Sequence, residues 1–173
     1  MAVNEEPQWL TEQQQQVWFS LVGVLTRLPD RLDAQLQQDA GISHFEYQVM
    51  AMLSMSPRRT RRMSDLAALA NGSLTRLSRT VDRLDKRGWV TRHPDPDDGR
   101  STLAVLTDDG WDKVAATAPA HVAEVRRLVF DPLTKTQVRQ LGEITNRMRQ
   151  VVYDDGCPPG LPGQIPPDTR QEP

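Results

Sequence analysis

From Thr11 to about Asp39, apolar residues recur at Val17, Leu21, Val24, Leu28, Leu32 and Leu36. A spacing close to 3.5 places them on one stripe of a long helix, suited to packing against another helix over its whole length. Thr11 with Gln14 predicts a capping box at the start, and Gly41 predicts the end. Pro29 predicts a kink near Leu25 to Leu28, because proline removes a backbone donor and crowds the preceding turn. Ser43 with Glu46 predicts a second capping box and a helix to about Ser56, with Phe45, Val49, Met52 and Leu53 inward and Pro57 as its stop. A short third helix is expected with Ser64 as its cap and Leu66, Ala67, Leu69 and Ala70 buried.

Asn71 and Gly72 turn the chain into a fourth helix, Leu74 to Arg87, whose Leu74, Leu77, Val81 and Leu84 share one face. Arg76, Arg79, Arg83 and Arg87 recur with the same period, their stripe centred roughly 130° from the apolar one at about 100° per residue. The helix is therefore expected to lie on a core and show guanidinium groups outward, with Gly88 in a left-handed cap. Trp89 to His93 and Ser101 to Leu106 alternate in polarity and are rich in β-formers, with Pro94, Pro96 and Gly99 between them, so they read as a hairpin. Two helices joined by a glycine-bearing turn make a helix-turn-helix, and a hairpin beside it completes a layout suited to reading both grooves of DNA.

Thr107 is read as the cap of a further helix, with Asp108 and Asp109 at the positive end of its dipole. It carries Trp111, Val114, Ala118, Val122, Val125 and Leu128, and a break or bend is expected at Pro119. The box Thr134 to Gln137 opens a last helix, read as burying Val138, Leu141, Ile144, Met148 and Val151. The final twenty residues hold six prolines and three glycines, a composition read as a disordered tail. The chain is thus read as mainly α with a small β-hairpin wing, a winged helix-turn-helix domain plus a helical dimerisation region. The divisions are a dimerisation helix over 1–40, a DNA-binding domain over 41–107, dimerisation helices over 108–153 and the tail over 154–173.

The formal net charge of −2 argues against a nucleic-acid partner until its distribution is considered. Pro57 to Leu106 holds 11 basic and 6 acidic residues, a local charge of +5, whereas the remainder holds 10 basic and 17 acidic, −7. A basic segment on an acidic scaffold is expected when one surface meets phosphate and the others do not. The first residues, MAVNEEPQW, lack the regions of a signal peptide, and no apolar run approaches membrane-spanning length, so a cytoplasmic protein is expected with no membrane partner. One cysteine and three histidines give neither an internal disulfide nor a structural zinc site, and no metal or cofactor is expected. No nucleophile with a paired base, no phosphate loop and no metal cluster points to an enzyme.

The element order and the stretch LTRLSRTVDRLDKRGWVTRHPDPDDGRSTLAVLTDDG, Leu74 to Gly110, resemble the MarR family of winged-helix transcription regulators. The resemblance covers about Trp9 to Tyr153 and includes the recognition helix, the wing and the LT-x-x-G opening of the next helix. It implies a homodimer built from the first helix and the last two, on which the apolar stripes bear independently; a monomeric helical bundle is the alternative. Two-fold symmetry would then set two recognition helices in successive major grooves of a pseudo-palindromic double-stranded operator. The resemblance also implies repression relieved by a small aromatic or lipophilic ligand.

On the recognition helix, Ser73, Thr75, Arg76, Ser78 and Arg79 lie in the half that enters the groove. The hydroxyls can bond phosphates or base edges, and Arg76 and Arg79 have the fork that fits guanine O6 and N7. Arg83 and Arg87 sit farther along and are read as phosphate contacts, or as ion pairs with Asp82 and Asp85 on a solvated face. In the wing, which also carries Arg92, the resemblance implies that Arg100 enters the minor groove and that Asp98 holds its guanidinium. Gly99 stands where many relatives carry a second arginine; an ordinary hairpin turn would also favour Asp, Pro and Gly but leaves Arg100 unexplained. Arg58, Arg59, Arg61 and Arg62 suit phosphate contacts or a solvated loop equally. The implied ligand pocket would draw on Trp18, His44, Tyr47, Met50 and Trp111, each of which also fits plain core or interface packing. Cys157 has no basic neighbour to lower its pKa, so thiol sensing is not expected. The competing reading of the whole is a winged-helix module whose arginine face meets an acidic protein.

Overall fold

The computed structural model of the protein describes residues 7–153; the predicted tail and Cys157 lie outside them. Helix α1 spans Glu12–Ala40, opened by the Thr11–Gln14 capping box and closed by Gly41 at φ 65°. It runs unbroken through Pro29, so the expected kink is not a break. Proline costs one backbone bond at an exposed position, and the buried anchors Leu32 and Leu36 that follow keep the helix continuous. Helix α2, His44–Ser54, starts at the Ser43–Glu46 box. A tight turn at Pro57–Arg59 leads into strand β1, Thr60–Arg62, and helix α3, Met63–Leu69.

Two expectations are corrected here. Ser64 is not a cap: Arg62 holds that position and α3 begins two residues earlier than expected, at Met63, which enters the core. The four-arginine cluster is not a loop, because Arg61 and Arg62 are part of a strand that pairs with Ala104 and Leu103.

Asn71, at φ 47°, and Gly72 make the turn into α4, Leu74–Lys86, capped by Ser73. Leu77, Val81 and Leu84 are buried as predicted, joined by Thr80, whose hydroxyl donates to Arg76 O at 3.0 Å. Leu74 departs from the pattern at 55% exposure; it belongs to the first turn, which projects beyond the core. Strands β2, Val90–Asp95, and β3, Asp98–Leu106, form the hairpin, and β3 pairs on both edges in the order β1-β3-β2, all antiparallel. Pro94 lies within β2 opposite Thr102, tolerated because β2 is an edge strand.

Helix α5, Asp108–Val125, is capped by Thr107 and passes Pro119 without interruption; the irregularity falls later, in a π-helical turn at Arg126–Phe130. Helix α6, Lys135–Val152, starts at the Thr134–Gln137 box.

One core holds the head together, drawn from α2, α3, α4, the sheet and the facing parts of α1 and α5. The last helix has no fully buried residue within its own chain: Val138 and Leu141 are half-buried, and Ile144, Met148 and Val151, expected to be buried, are exposed. Val17, Trp18, Phe19, Val24 and Leu25 on the first half of α1 are exposed as well. Apolar faces of this extent are the kind that a partner surface covers. No helix of the described residues is long and apolar enough to cross a membrane.

Candidate nucleic-acid interface

Helix α4 is held from below by its apolar face and from the side by the wing, and the cations around it fall into two groups. The first is bonded within the protein. Arg83 donates from Nε to Glu46 Oε1 at 2.9 Å, and its terminal nitrogens reach Arg79 O and the Thr80 hydroxyl. Glu46 is only 5% exposed. Burial would push its carboxyl up, but bonds from the Ser43 N–H, from Arg83 and from the Ser43 hydroxyl outweigh it and hold the group below the ordinary carboxylate range. Arg83 is thus the counter-ion of a buried carboxylate and not a partner of Asp82 or Asp85. Arg87 likewise turns away, donating to Gly41 O at 3.3 Å.

Arg92, expected on the DNA face of the wing, is also bonded within the protein. Its Nη2 bonds Ser78 O at 2.6 Å and Asp82 Oδ1 at 2.7 Å, and its Nε is buried without a partner among the described residues. It clasps the wing to the recognition helix. A second clasp joins Arg62 Nε to Asp95 Oδ2 at 2.7 Å, with Asp95 only 5% exposed and also accepting from the Asp97 N–H. Asp95 carried no sequence signal beyond its place in an acidic turn.

Among the other cluster arginines, Arg59 bonds Asp108 at 2.8 Å and lies 4.4 Å from the Trp111 ring centroid, and Arg61 donates to the Ser56 hydroxyl at 2.6 Å. Arg59 is thus held on both counts, whereas Arg61 is held through Nε alone. Arg58 and Arg59 both have positive φ, 51° and 52°, a backbone state that side-chain-bearing residues adopt at some cost.

The second group is exposed and uncommitted. Arg79 and Arg100 make no side-chain hydrogen bond or ion pair among the described residues, and Arg76, an exposed residue, stands over the Phe45 ring at 4.0 Å from its centroid. Ser73 and Thr75 are exposed at the head of α4. Between α4, α3 and the wing runs a cleft lined by Arg62, Ser64, Ser78, Arg100, Ser101 and neighbours.

Asp98 organises the wing tip differently from the expectation. It accepts from the Arg100 backbone N–H at 3.1 Å and from the Ser101 hydroxyl at 2.8 Å, and these bonds, Ser101's first, lower its pKa. The carboxylate shapes the turn and leaves the Arg100 guanidinium free.

The predicted ligand residues stand in different surroundings. Met50 and Trp111 are buried in the core, and Trp18 stands exposed on α1. His44 and Tyr47 do meet, against His121 of α5, with ring centroids 5.9 and 4.6 Å from it, and His121 pairs with Gln35 at 3.2 Å. Burial lowers the pKa of both histidines; Asp33 opposes this at His44, and His44 adds to it at His121. His121 was missed, although it lies three and seven residues beyond Ala118 and Val114, on the same inward face.

A model of the MarR family matches residues 40–101. Over 92% of this chain and 100% of its own, the crystal structure of Sco3205, a MarR family transcriptional regulator from Streptomyces coelicolor in complex with DNA, is 44% identical with a TM-score of 0.82. The chain belongs to the MarR family. AbsC, another MarR family transcriptional regulator from Streptomyces coelicolor, is 31% identical over 86% of this chain and 99% of its own, with a TM-score of 0.79. Transcriptional repressor MprA of Escherichia coli is 25% identical over 132 residues, 72% of this chain and 74% of its own. In MarR family terms α4 is the recognition helix and β2–β3 the wing, so the uncommitted arginines lie on the two elements that distinguish the fold.

Proposed function

We propose that this MarR family member is a dimeric regulator of transcription, and a repressor, that binds a pseudo-palindromic duplex. Arg76 and Arg79 of each copy read base edges in the major groove, and Arg100 enters the minor groove. The observation that carries the reading is the division of the cations. Arg59, Arg61, Arg62, Arg83, Arg87 and Arg92 each have a nitrogen bonded within the protein, while the guanidinium groups of Arg76, Arg79 and Arg100 make no hydrogen bond or ion pair among the described residues and stand on two elements clasped together. A preorganised cationic surface of this kind suits a polyanion of fixed shape. Ser73, Thr75 and Ser78 are assigned to phosphate or base-edge bonds, and Arg58 and the outer nitrogens of Arg62, whose Nε alone is held by Asp95, to phosphate.

Residues 1–40 and 108–153 form the dimerisation region and 41–107 the DNA-binding domain; the exposed apolar faces of α1 and α6 support this division. A small aromatic or lipophilic effector is assigned to the neighbourhood of His44 and Tyr47. The protein acts in the cytoplasm and is not an enzyme.

The test is selection of a binding sequence from random duplexes, followed by titration of variants. Arg76→Ala and Arg79→Ala each relax the preference at one base pair, by about 1–3 kcal/mol for a lost bidentate contact, while Arg100→Ala weakens binding across sequences. If all three bind like the parent, the assignment fails.

A further inference from the structure

Helix α1 ends with no basic residue in its last turn, so the negative end of its dipole has no cation of its own. Two cations from elsewhere in the chain supply one. Lys113 Nζ, on α5, donates to Ala40 O at 2.7 Å, and Arg87 Nη1, at the end of α4, donates to Gly41 O at 3.3 Å. Both lie against the indole of Trp89, at 5.3 and 5.0 Å from the ring centroid. Trp89 is fixed in turn, its N–H donating to Leu84 O and its carbonyl accepting from the Thr107 N–H, both at 3.0 Å. The end of the dimer arm, the end of the recognition helix, the root of the wing and the start of α5 are therefore tied in one knot.

We propose that this knot fixes the angle between α1 and α4, and that Lys113 is a positioning residue that sets the half-site spacing selected on DNA. The proposal rests on the dimeric DNA-reading role above. Lys113 reaches 73 residues along the chain to make its bond and stands on no element assigned to DNA. Geometry gives the joint leverage. A tilt of about 5° over a helix the length of α1, about 40 Å, moves its far end by about 3.5 Å, one base-pair step.

The test compares the parent with Lys113→Met, which keeps the aliphatic stem and loses the charge and the donors. Each is titrated with the selected operator, with operators lengthened or shortened by one or two base pairs between half-sites, and with a single half-site. The parent is expected to discriminate against altered spacing by about tenfold or more, and Lys113→Met by about threefold or less, with single half-site affinity little changed. Lys113→Arg, which retains a cation and donors, is expected to keep the parent's discrimination. Thermal unfolding accompanies each variant; if Lys113→Met is unfolded at the assay temperature, Lys113→Gln replaces it under the same criterion. A folded variant without the lysine charge that still discriminates like the parent overturns the proposal and leaves the DNA-reading role standing. A parent that selects no duplex sequence overturns both.

Discussion

Replacing Gly110 with alanine sets two effects against each other. In the first turn of a helix, alanine is the better helix former, by up to about 1 kcal/mol. At this site, however, a Cβ would lie 2.1 Å from Trp89 O, 2.7 Å from Leu106 Cδ1 and 2.9 Å from Trp89 C. Leu106 can adjust its side chain, but the Trp89 carbonyl is backbone and cannot rotate away. Relief requires α5 to withdraw by about 1 Å, against the Thr107 N–H bond to the same carbonyl and the Thr107 hydroxyl bond to Gly88 O. Overpacking costs about 1–3 kcal/mol, and a weakened hydrogen bond about 1 more. After the propensity gain, the expected net loss is about 2 kcal/mol. For a chain of this size that lowers the unfolding midpoint by about 4–8 °C. Thermal unfolding of Gly110→Ala and parent at equal protein concentration measures it, concentration being held because the assembly is coupled to stability. An unchanged or raised midpoint would show that the close approach at Trp89 is not what demands glycine.

Three further outcomes are expected. Arg83→Ala, which strips the buried Glu46 carboxylate of one partner, lowers stability by about 1–2 kcal/mol, discounted because the guanidinium is half exposed. It leaves base preference nearly intact in urea unfolding and operator titration, whereas Arg79→Ala does the reverse. Val24→Glu, a charge on the exposed part of the α1 stripe, converts the dimer to monomer at micromolar concentration, read by sedimentation velocity; an intact dimer would locate the interface elsewhere. Stability also falls on acidification through His44 and His121. Both have folded-state pKa values below 6.5, so the unfolded chain takes up protons first. Their contribution is complete above about 6.5, declines as pH drops below it, and levels off beneath the folded values. Urea midpoints followed over that range check this, and His121→Gln flattens the profile.

What was legible in the sequence is what neighbouring residues decide. The capping boxes at Thr11, Ser43 and Thr134 each formed as predicted, because donor and acceptor lie three residues apart. The helix-turn-helix, the wing and the arginine stripe came from spacing alone. The fate of each arginine was not legible, since it is set by partners distant in the chain: Glu46 lies 37 residues from Arg83 and Asp95 lies 33 from Arg62. Periodicity says which way a side chain leaves the helix, not what meets it there. Strand β1 was hidden for a related reason, as three residues carry no alternation to detect and its pairing with β3 is non-local. Neither Pro29 nor Pro119 ends its helix, because both sit on outward positions of helices whose inward faces are anchored. The burial expected along α6 was read from a pattern that cannot distinguish a face covered within one chain from a face turned outward.

The central β-strand bears on how a protein of this build can be switched. That strand is stitched on one edge to its hairpin mate and on the other to the stub preceding the reading helices, and two arginine rivets join the same parts again. Finger and probe therefore travel as a single casting. A signal that bent the finger alone would have to tear the backbone bonds that join it to that stub, whereas a signal applied at the neck can swivel the whole casting and break none of them.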